Sequence, residues 1–265
     1  MVRNWSRWAV ALLTIVAAWG VAPQDAAAQF TNGELYFGQG LPGDDLDNMD
    51  LPGTVLDNMD LPNSLPLDVC VGIEGTGALN CVFSGVRFGN FRGPLSLPSG
   101  VYQVTAAPAN PQNPGANTPI LSGTVAIRAR QSFTFVAHLS TTGTPIGTGF
   151  QNTVDRIVPI KSRVVARHAA NAAPVDIALV SQVGMPGMSA LGLTNSTQSA
   201  ASDLMSGPFT VSMKPAGNPF VNLVTPFNLT LAPLNGYYLY AVGSVENGTL
   251  QLLVQRVPLK IRFFP

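Results

Sequence analysis

Residues 99–105 read Ser-Gly-Val-Tyr-Gln-Val-Thr, and residues 206–212, which lie 107 positions later, read Ser-Gly-Pro-Phe-Thr-Val-Ser. In the first stretch Tyr102 and Val104 alternate with polar residues. This period of two is typical of a β-strand that buries one face. Because two such stretches share one sequence pattern, they predict two copies of a single β-rich unit.

Two further matches extend the repeat on either side. Residues 65–69 (Leu-Pro-Leu-Asp-Val) recur as residues 173–177 (Ala-Pro-Val-Asp-Ile), at an offset of 108. Residues 125–137 and 229–241 share their apolar positions, at an offset of 104. Three matches in the same order at nearly one offset predict two tandem domains.

The composition favours an all-β fold. The chain has 265 residues, of which 46% are hydrophobic and 11% charged, against about 25% charged in an ordinary domain. Disordered chains and coiled coils need far more charge, and 26 glycines with 22 prolines disfavour long helices. We therefore predict two tandem antiparallel immunoglobulin-like β-sandwich domains, residues 29–150 and 151–265. Zero net charge gives no reason to expect a nucleic-acid partner.

The first 28 residues have the pattern of a signal peptide. Arg3 and Arg7 precede an apolar run at residues 8–21, and alanines at 26–28 provide small residues before Gln29. This run of 14 residues is short for a membrane span, although an N-terminal anchor helix is the alternative. We expect a cleaved leader and an exported protein, periplasmic, cell-surface or extracellular, with no transmembrane span in the mature chain.

Cysteine use agrees with export. Cys70 and Cys81 flank residues 74–77 (Glu-Gly-Thr-Gly) symmetrically, so a hairpin that turns there places them opposite each other. We predict a disulfide, which would stabilise the fold by about 3 kcal/mol in the chain-entropy model. A zinc pair is disfavoured because the spacing is wrong and the chain has only two histidines.

An acidic segment, residues 44–68, contains seven aspartates and repeats Leu-Asp-Asn-Met-Asp-Leu-Pro at 46–52 and 56–62. The simplest interpretation is a duplication that lengthened a solvated loop. The alternative is a calcium site, since hard cations prefer closely spaced oxygen ligands, but the glycine and glutamate of an EF-hand loop are missing. No other cofactor is expected. The calcium candidates are Asp45, Asp47, Asn48 and Asp50.

Several motifs carry a family resemblance. In the second copy they are Val164–His168, Ala173–Ile177 and Tyr237–Gly243, and in the first copy Gly40–Leu46, Leu65–Val69 and Phe133–Leu139. Together they resemble the bacterial domain of unknown function 4397 family (DUF4397). The resemblance implies exported immunoglobulin-like sandwiches, usually in tandem, with no established activity. Gln39 stands where that family often has histidine, so any role of that histidine is absent from copy one.

The sequence gives weak support for a catalytic site, and we expect that the protein is not an enzyme. His168 and Asp176 stand at the end of one expected strand and the start of the next, where they could form a base and its orienting acid. No nucleophile stands at a supporting spacing, so a loop-fixing role is the simpler interpretation. Asp68 matches Asp176 in the repeat, which favours a structural task. His138, in an apolar strand, is interpreted as a structural histidine.

Charge divides unevenly between the two copies. Residues 29–150 carry nine acidic and four basic residues, whereas 151–265 carry four acidic and eight basic. This asymmetry predicts either docking of the domains within one monomer or head-to-tail association between molecules. Leu259, Ile261 and Phe263 alternate with basic residues in a tail that we expect to form an extra C-terminal strand. The basic residues near the linker are Arg156, Lys161, Arg163 and Arg167.

The sequence thus predicts an exported, non-enzymatic structural or binding protein of the cell envelope or extracellular matrix, with head-to-tail self-association as a further hypothesis. One alternative is a carbohydrate- or peptide-binding module, in which aromatics such as Phe88, Phe91 and Tyr238 would line a groove. A second alternative is a weak hydrolase that uses His168 and Asp176. Asn195, Asn228 and Asn247 head glycosylation sequons.

Overall fold

The computed structural model describes residues 31–46 and 65–259. Three sequence predictions lie wholly or largely outside those residues. They are the leader at 1–28, the calcium candidates Asp47, Asn48 and Asp50, and the tail beyond Leu259. Among the residues described, no helix is long and apolar enough to cross a membrane.

Strands make up almost all of the regular structure, together with one 3-10 turn at Gly43–Leu46. The strands of the first half are β1 (Asn32–Gln39), β2 (Leu67–Ile73), β3 (Asn80–Val86), β4 (Phe91–Pro98), β5 (Gly100–Pro108), β6 (Leu121–Ile127), β7 (Ser132–Leu139) and β8 (Pro145–Asn152). Those of the second half are β9 (Lys161–Asn171), β10 (Val175–Ser181), β11 (Met188–Leu193), β12 (Thr197–Gln198), β13 (Ser202–Met205), β14 (Gly207–Pro215), β15 (Phe227–Leu231), β16 (Asn235–Ser244) and β17 (Gln251–Pro258).

The strands form four sheets, two in each half. In the first half, β3-β2-β5-β6 make an outer sheet and β4-β1-β7-β8 an inner sheet. In the second half, β11-β10-β14-β15 make an outer sheet, and β12-β9-β16-β17, with β13 also on β9, make an inner sheet. The two halves repeat one strand order, and this sandwich arrangement confirms the predicted all-β fold class. We call the halves the first and second sandwich.

Three apolar cores hold the four sheets in one stack. The first core lies between the sheets of the first sandwich and includes Leu35, Val69 and Phe135. The second lies between the sheets of the second sandwich and includes Ile177 and Phe209. The third joins residues of both inner sheets. The layer order is therefore outer, inner, inner, outer, and the central strands of both inner sheets, β1, β7, β9 and β16, are buried on both faces.

The centre of each inner sheet is a parallel strand pair, β1 with β7 and β9 with β16. The prediction of antiparallel pairing is corrected for these two pairs, whereas the other strand pairs among the described residues are antiparallel. Strands buried on both faces read as continuous apolar runs, and parallel pairs are found in such positions. Tyr-Tyr-Leu-Tyr-Ala-Val at residues 237–242 is such a run, and all ten residues of β16 are buried.

The β2–β3 hairpin confirms the predicted disulfide. Cys70 and Cys81 are direct partners across the two antiparallel strands and are bonded to each other. The loop after β5 covers the bond, because a Cβ on Gly115 would lie 2.7 Å from the Cys70 sulfur.

Candidate functional site

The surface between the two inner sheets, here called the inter-sandwich interface, is the most elaborate polar and aromatic cluster among the described residues. Its apolar part comprises Tyr36, Val136 and Phe150 from the first sandwich with Val165, Ala169, Tyr238, Tyr240, Val242 and Val257 from the second. Packing there is close, since a Cβ on Gly40 would lie 2.9 Å from Val242.

The inter-sandwich interface contains the three aromatic residues that the binding-module alternative would place in an open groove. Tyr238 is fully buried, and Phe88 and Phe91 pack against the interface core. The ring centroids of Phe91 and Tyr240 are 5.1 Å apart. The expectation of a groove lined by these three residues is therefore corrected: burial between two sheets, rather than exposure to a ligand, uses their apolar surface.

Arg167 lies at the middle of the interface and is fully buried. It projects from β9 toward the first sandwich, where its Nη2 donates to the carbonyl oxygen of Gln151 at 2.9 Å and to Oδ1 of Asn152 at 3.0 Å. Within the second sandwich its Nε donates to Oε1 of Gln198 at 3.0 Å and its Nη1 to the Tyr240 hydroxyl. One guanidinium thus joins the two sandwiches.

Aromatic rings surround the Arg167 guanidinium. Its central carbon lies 4.3 Å from the Tyr238 ring centroid, 5.0 Å from that of Phe150 and 5.1 Å from that of Tyr240. Its hydrogen-bond partners are carbonyl, amide and phenol oxygens, with no carboxylate among them. Burial lowers the pKa of Arg167 and raises that of Tyr240, whereas the ring faces and acceptor dipoles stabilise the cation.

A chain of neutral side chains continues from Arg167 across the interface. The Tyr240 hydroxyl donates to Oε1 of Gln255 at 2.7 Å, and the Thr134 hydroxyl donates to the same oxygen at 3.0 Å. Nδ2 of Asn152 donates to Thr134 at 3.0 Å, which closes the network with Arg167. Among the described residues, Nε2 of Gln255 is the one buried side-chain nitrogen or oxygen without a hydrogen bond.

Two of the basic residues near the linker, Arg163 and Arg167, form no hydrogen bond or ion pair with an acidic residue of the first sandwich among the described residues. Arg163 forms a two-bond ion pair with Asp203 of its own sandwich, at 2.7 and 2.9 Å, which raises the pKa of Arg163. Its Nη1 also donates to the carbonyl oxygens of Thr153 and Asp155 in the linker. Arg163 therefore fixes the linker, while Arg167 joins the sandwiches through uncharged acceptors.

His168 holds the loop after β9. Its Nδ1 accepts from the backbone N–H of Ala170, and its Nε2 lies 3.2 Å from the carbonyl oxygen of Ala173. An accepting Nδ1 places the ring proton on Nε2, so the ring is a neutral tautomer that donates to Ala173. Burial lowers the pKa of His168, which favours that neutral form.

Gln39 makes the equivalent hydrogen bonds to the loop backbone in the first sandwich. Its Oε1 accepts from the backbone N–H of Leu41, two residues later, and its Nε2 donates to the carbonyl oxygen of Leu65. Gln39 pairs with Ala137 in the sheet, as His168 pairs with Ala241. The two side chains are therefore equivalent, and the amide reproduces both hydrogen bonds of the neutral imidazole.

Asp68 and Asp176 are equivalent loop clamps. Asp68 is buried and accepts the backbone N–H groups of Gly85, Asn110 and Gly115 at 2.9 to 3.1 Å. Asp176 accepts those of Gly192 and Gly217 at 2.7 and 3.0 Å. Among the described residues no hydrogen bond joins His168 and Asp176, which contradicts the alternative of a base–acid pair, since backbone groups bind both side chains.

Asp45 joins the sandwiches at one end of the interface. Each of its carboxylate oxygens lies 2.7 Å from the Thr249 hydroxyl, and Nδ2 of Asn247 donates to Oδ1 at 3.0 Å. Burial raises the pKa of Asp45. Within the described residues no group of three or more His, Cys, Asp or Glu could hold a metal. Calcium binding stays a prediction because the other candidates lie outside those residues.

His138 and Asn195 make a second set of bridges. Nδ1 of His138 donates to the carbonyl oxygen of Leu139 at 2.9 Å, so Nε2 of the neutral ring accepts from the Thr148 hydroxyl at 2.7 Å. The Thr148 oxygen lies 3.2 Å from the Ser196 hydroxyl oxygen of the second sandwich. Nδ2 of Asn195 donates both to the carbonyl oxygen of Leu139 and to that of Ala170. His138 is fully buried, which lowers its pKa to about 4.

Sequence reasoning missed the role of the Arg167 network. The sequence places Arg167 among the basic residues near the linker and predicts no role for Gln255 or Thr134. One signal is present: Arg167 and His168 interrupt the apolar run Val164–Ala170. A lone arginine within a strand buried on both faces needs internal acceptors, because charge is seldom buried without partners.

Comparison with known proteins supports the family resemblance. Residues 59–178 match the family model described as Domain of unknown function (DUF4397), which confirms the predicted resemblance over that stretch. The matched residues run from before β2 into β10 and thus include parts of both sandwiches. No curated protein matches the chain.

Solved structures give only distant likenesses. The Bacillus anthracis TIE protein is 12% identical, with a TM-score of 0.23, over 81% of this chain and 33% of its own. A candidate cell adhesion protein from Parabacteroides distasonis is 9% identical, with a TM-score of 0.21, and the match covers 89% of this chain and 99% of that protein. The C-terminal fragment of the pilus adhesin SpaC from Lactobacillus rhamnosus GG is 11% identical, with a TM-score of 0.20, over 89% and 100%. The chain spans about a third of the TIE protein, and TM-scores this low carry no argument about fold or function.

Proposed function

We propose, from the premise that residues 59–178 match the DUF4397 family model, that this chain is an exported, non-enzymatic structural or binding protein of the cell envelope or extracellular matrix. The observation that carries the proposal is the Arg167 network, which locks two sandwiches into one four-layer body. Two independent domains on a flexible linker would need no such buried network. A rigid body of this kind is suited to spacing or presenting surfaces.

The use of the ionisable side chains supports a non-catalytic role. Four ionisable side chains form hydrogen bonds to loops or to the opposite sandwich, namely His168, Asp68, Asp176 and Asp45. A catalytic base must keep an atom available to substrate. Groups that are fully engaged in holding loops serve stability instead.

Export is supported by the disulfide and the leader pattern. The Cys70–Cys81 bond closes a hairpin, and structural disulfides persist in oxidising compartments outside the cytosol. Residues 1–28 have the charge, apolar run and small residues of a secretory signal.

Head-to-tail self-association is the finer part of the proposal. In the stack the two outer sheets face away from each other, one in each half of the chain, and the two halves differ in net charge. Contact between unlike ends of neighbouring molecules is heterologous and does not close, which is the geometry of filaments. Light scattering at low and high salt measures this: a salt-sensitive increase in mass is expected, and a monomer at both salt concentrations contradicts it.

Localisation and crosslinking in place test the wider proposal. The full chain is expressed in a bacterium, cells are fractionated, and free thiols are labelled before electrophoresis. We expect protein in the envelope or medium with no free thiol, and amine-reactive crosslinking on intact cells that yields larger species. A chain without residues 1–28 is the matched control and should stay inside with reduced cysteines. Recovery of the full chain in the cytosol with free thiols would contradict the proposal.

A further inference from the structure

We infer that a cleft at one end of the inter-sandwich interface binds an alkylammonium group, as found on a lysine side chain or a free aliphatic amine. The cleft has a volume of about 560 Å³, within the range of about 300–1,000 Å³ common for small-molecule sites. This inference goes beyond the proposed function and does not depend on self-association.

The cleft forms where loops of both sandwiches meet. The β7–β8 turn of the first sandwich contributes Thr141, and three loops of the second sandwich contribute the rest. The hydrogen bonds of Asn195 to Leu139 and Ala170 hold the two walls together. The cleft therefore exists only while the sandwiches are docked, and domain interfaces are frequent ligand sites.

The walls are largely aliphatic. Ala172, Ala173, Pro174 and Val245 line the cleft, and the Val245 side chain is 48% exposed. Exposed methyl groups inside a concave surface favour an apolar ligand body, because its binding removes apolar area from water. Within 31–46 and 65–259 no aromatic ring lines the cleft, so these residues provide no flat platform of the kind on which sugar rings usually stack.

The charged group of the cleft is a carboxylate. Glu246 lines it and is exposed, and no residue in 31–46 or 65–259 forms a hydrogen bond or ion pair with that carboxylate. No lysine or arginine among the described residues lines the cleft, so the local charge favours a cation.

Polar groups beside Glu246 fit an ammonium donor. Asn171 and Thr141 also line the cleft, and each has a side-chain oxygen that can accept an N–H. An alkylammonium has three N–H donors on a flexible aliphatic stem. The donors suit the Glu246 carboxylate and the neutral oxygens, and the stem suits the aliphatic walls. An anion would be repelled by the Glu246 carboxylate, and an uncharged alcohol would form no ion pair with it.

Amide NMR titration of the oxidised protein spanning residues 29–265 tests this site. The probes are n-pentylammonium, Nα-acetyl-lysine-N-methylamide, n-pentanol and pentanoate. We expect both cations to shift the amide signals of Ala172, Ala173, Val245 and Glu246, with pentanol at least about fivefold weaker and pentanoate inactive. The lysine probe and the free amine distinguish a protein side chain from a small molecule as the source of the ammonium, and binding of either supports the site.

Three variants make the test specific. Glu246→Gln should weaken cation binding about two- to fivefold, the scale of an exposed ion pair. Glu74→Gln, which removes an exposed carboxylate from the β2–β3 turn, should leave it unchanged. Ala173→Trp should fill the cleft and abolish binding, with dispersed spectra as proof of folding. Equal binding of pentylammonium, pentanol and pentanoate, unaltered binding in Glu246→Gln, or no binding of either cation would overturn the inference.

Discussion

At the scale of single residues, Arg167 shows how a full charge is tolerated inside an all-β protein. Four hydrogen bonds to neutral oxygens and three aromatic faces replace the water that the guanidinium loses. Hydrogen bonds to a charged group contribute about 1.5–3 kcal/mol each, enough together to offset a large desolvation cost. Because two of these acceptors belong to the first sandwich, the cation also sets how the sandwiches dock.

His168 is predicted to be replaceable by glutamine. Gln39 makes the equivalent two bonds in the first sandwich, so His168→Gln should keep the free energy of unfolding within about 1 kcal/mol. His168→Ala should lose about 1–3 kcal/mol, because it leaves the Ala170 N–H and the Ala173 carbonyl without partners. Urea unfolding at pH 7.5 measures both variants. A glutamine variant as unstable as the alanine variant would show that the imidazole does something the amide does not.

His138 should make stability fall as the pH is lowered from about 6.5 to about 4. In the folded protein burial lowers its pKa to about 4, whereas the unfolded chain has the ordinary value of about 6.5. Between these values the unfolded chain binds a proton that the folded protein does not. The loss should reach about 3 kcal/mol at pH 4.

Comparison with His138→Val isolates that contribution. Val242 occupies the equivalent position of the second sandwich, so valine fits this strand environment. The variant should be less stable at pH 7.5, since it loses the bond to Thr148, but its unfolding free energy should depend less on pH. Urea titrations at pH 7.5, 6, 5 and 4 measure both slopes. Identical slopes would mean that His138 does not titrate differently in the two states.

At the scale of elements, the aspartate clamps explain why the repeat keeps an acidic residue near the start of β2 and β10. In each sandwich the carboxylate receives the N–H of a glycine with positive φ, Gly85 at 61° or Gly192 at 62°, where the neighbouring strand bulges. A carboxylate has two acceptor oxygens with about four lone-pair sites, so it accepts several N–H groups from different loops at once. The bulge and the clamp together set the register of the strand pair.

Removing the clamps should have unequal effects. Asp68→Ala leaves three backbone N–H groups without an acceptor, and Asp176→Ala leaves two in a more exposed place. We expect losses of about 3 kcal/mol for Asp68→Ala and about 1–2 kcal/mol for Asp176→Ala. Thermal unfolding of both variants, with Glu74→Ala as an exposed acidic control, measures the difference. A larger loss for Asp176→Ala would contradict this account.

At the scale of the whole molecule, face-to-face stacking turns two small sandwiches into a single body with three cores. Each inner sheet loses its solvated face, which increases the apolar surface that folding buries. The polar bridges sit at the centre and at the rim of the stacked surface, through Arg167, Asp45 and Asn195. This distribution favours one docking geometry over a sliding contact of apolar faces.

Arg167→Met should uncouple the two sandwiches. Methionine keeps an apolar stem but provides no donor to Gln151, Asn152, Gln198 or Tyr240. We expect the single heat-absorption peak of the native chain to divide into two, with a loss of about 3–5 kcal/mol at the less stable sandwich. Calorimetry measures this, with Arg256→Met, an exposed change on β17, as the control. A single unshifted peak in Arg167→Met would contradict the role of the network.

The sequence by itself determined the all-β class, the internal repeat and the disulfide partners. These features follow from local patterns, namely strand alternation, turn residues and the symmetric spacing of Cys70 and Cys81 about a turn. Only the tertiary structure decided that the sandwiches stack through their inner sheets and that Arg167, Tyr238 and Asp45 are buried there. The alternation along a strand predicts which face of the sheet a residue occupies, but it does not predict which other sheet covers that face. Docking includes contacts between residues more than 80 positions apart, such as Tyr238 with Thr153 and Asp45 with Thr249, and no local pattern encodes these contacts.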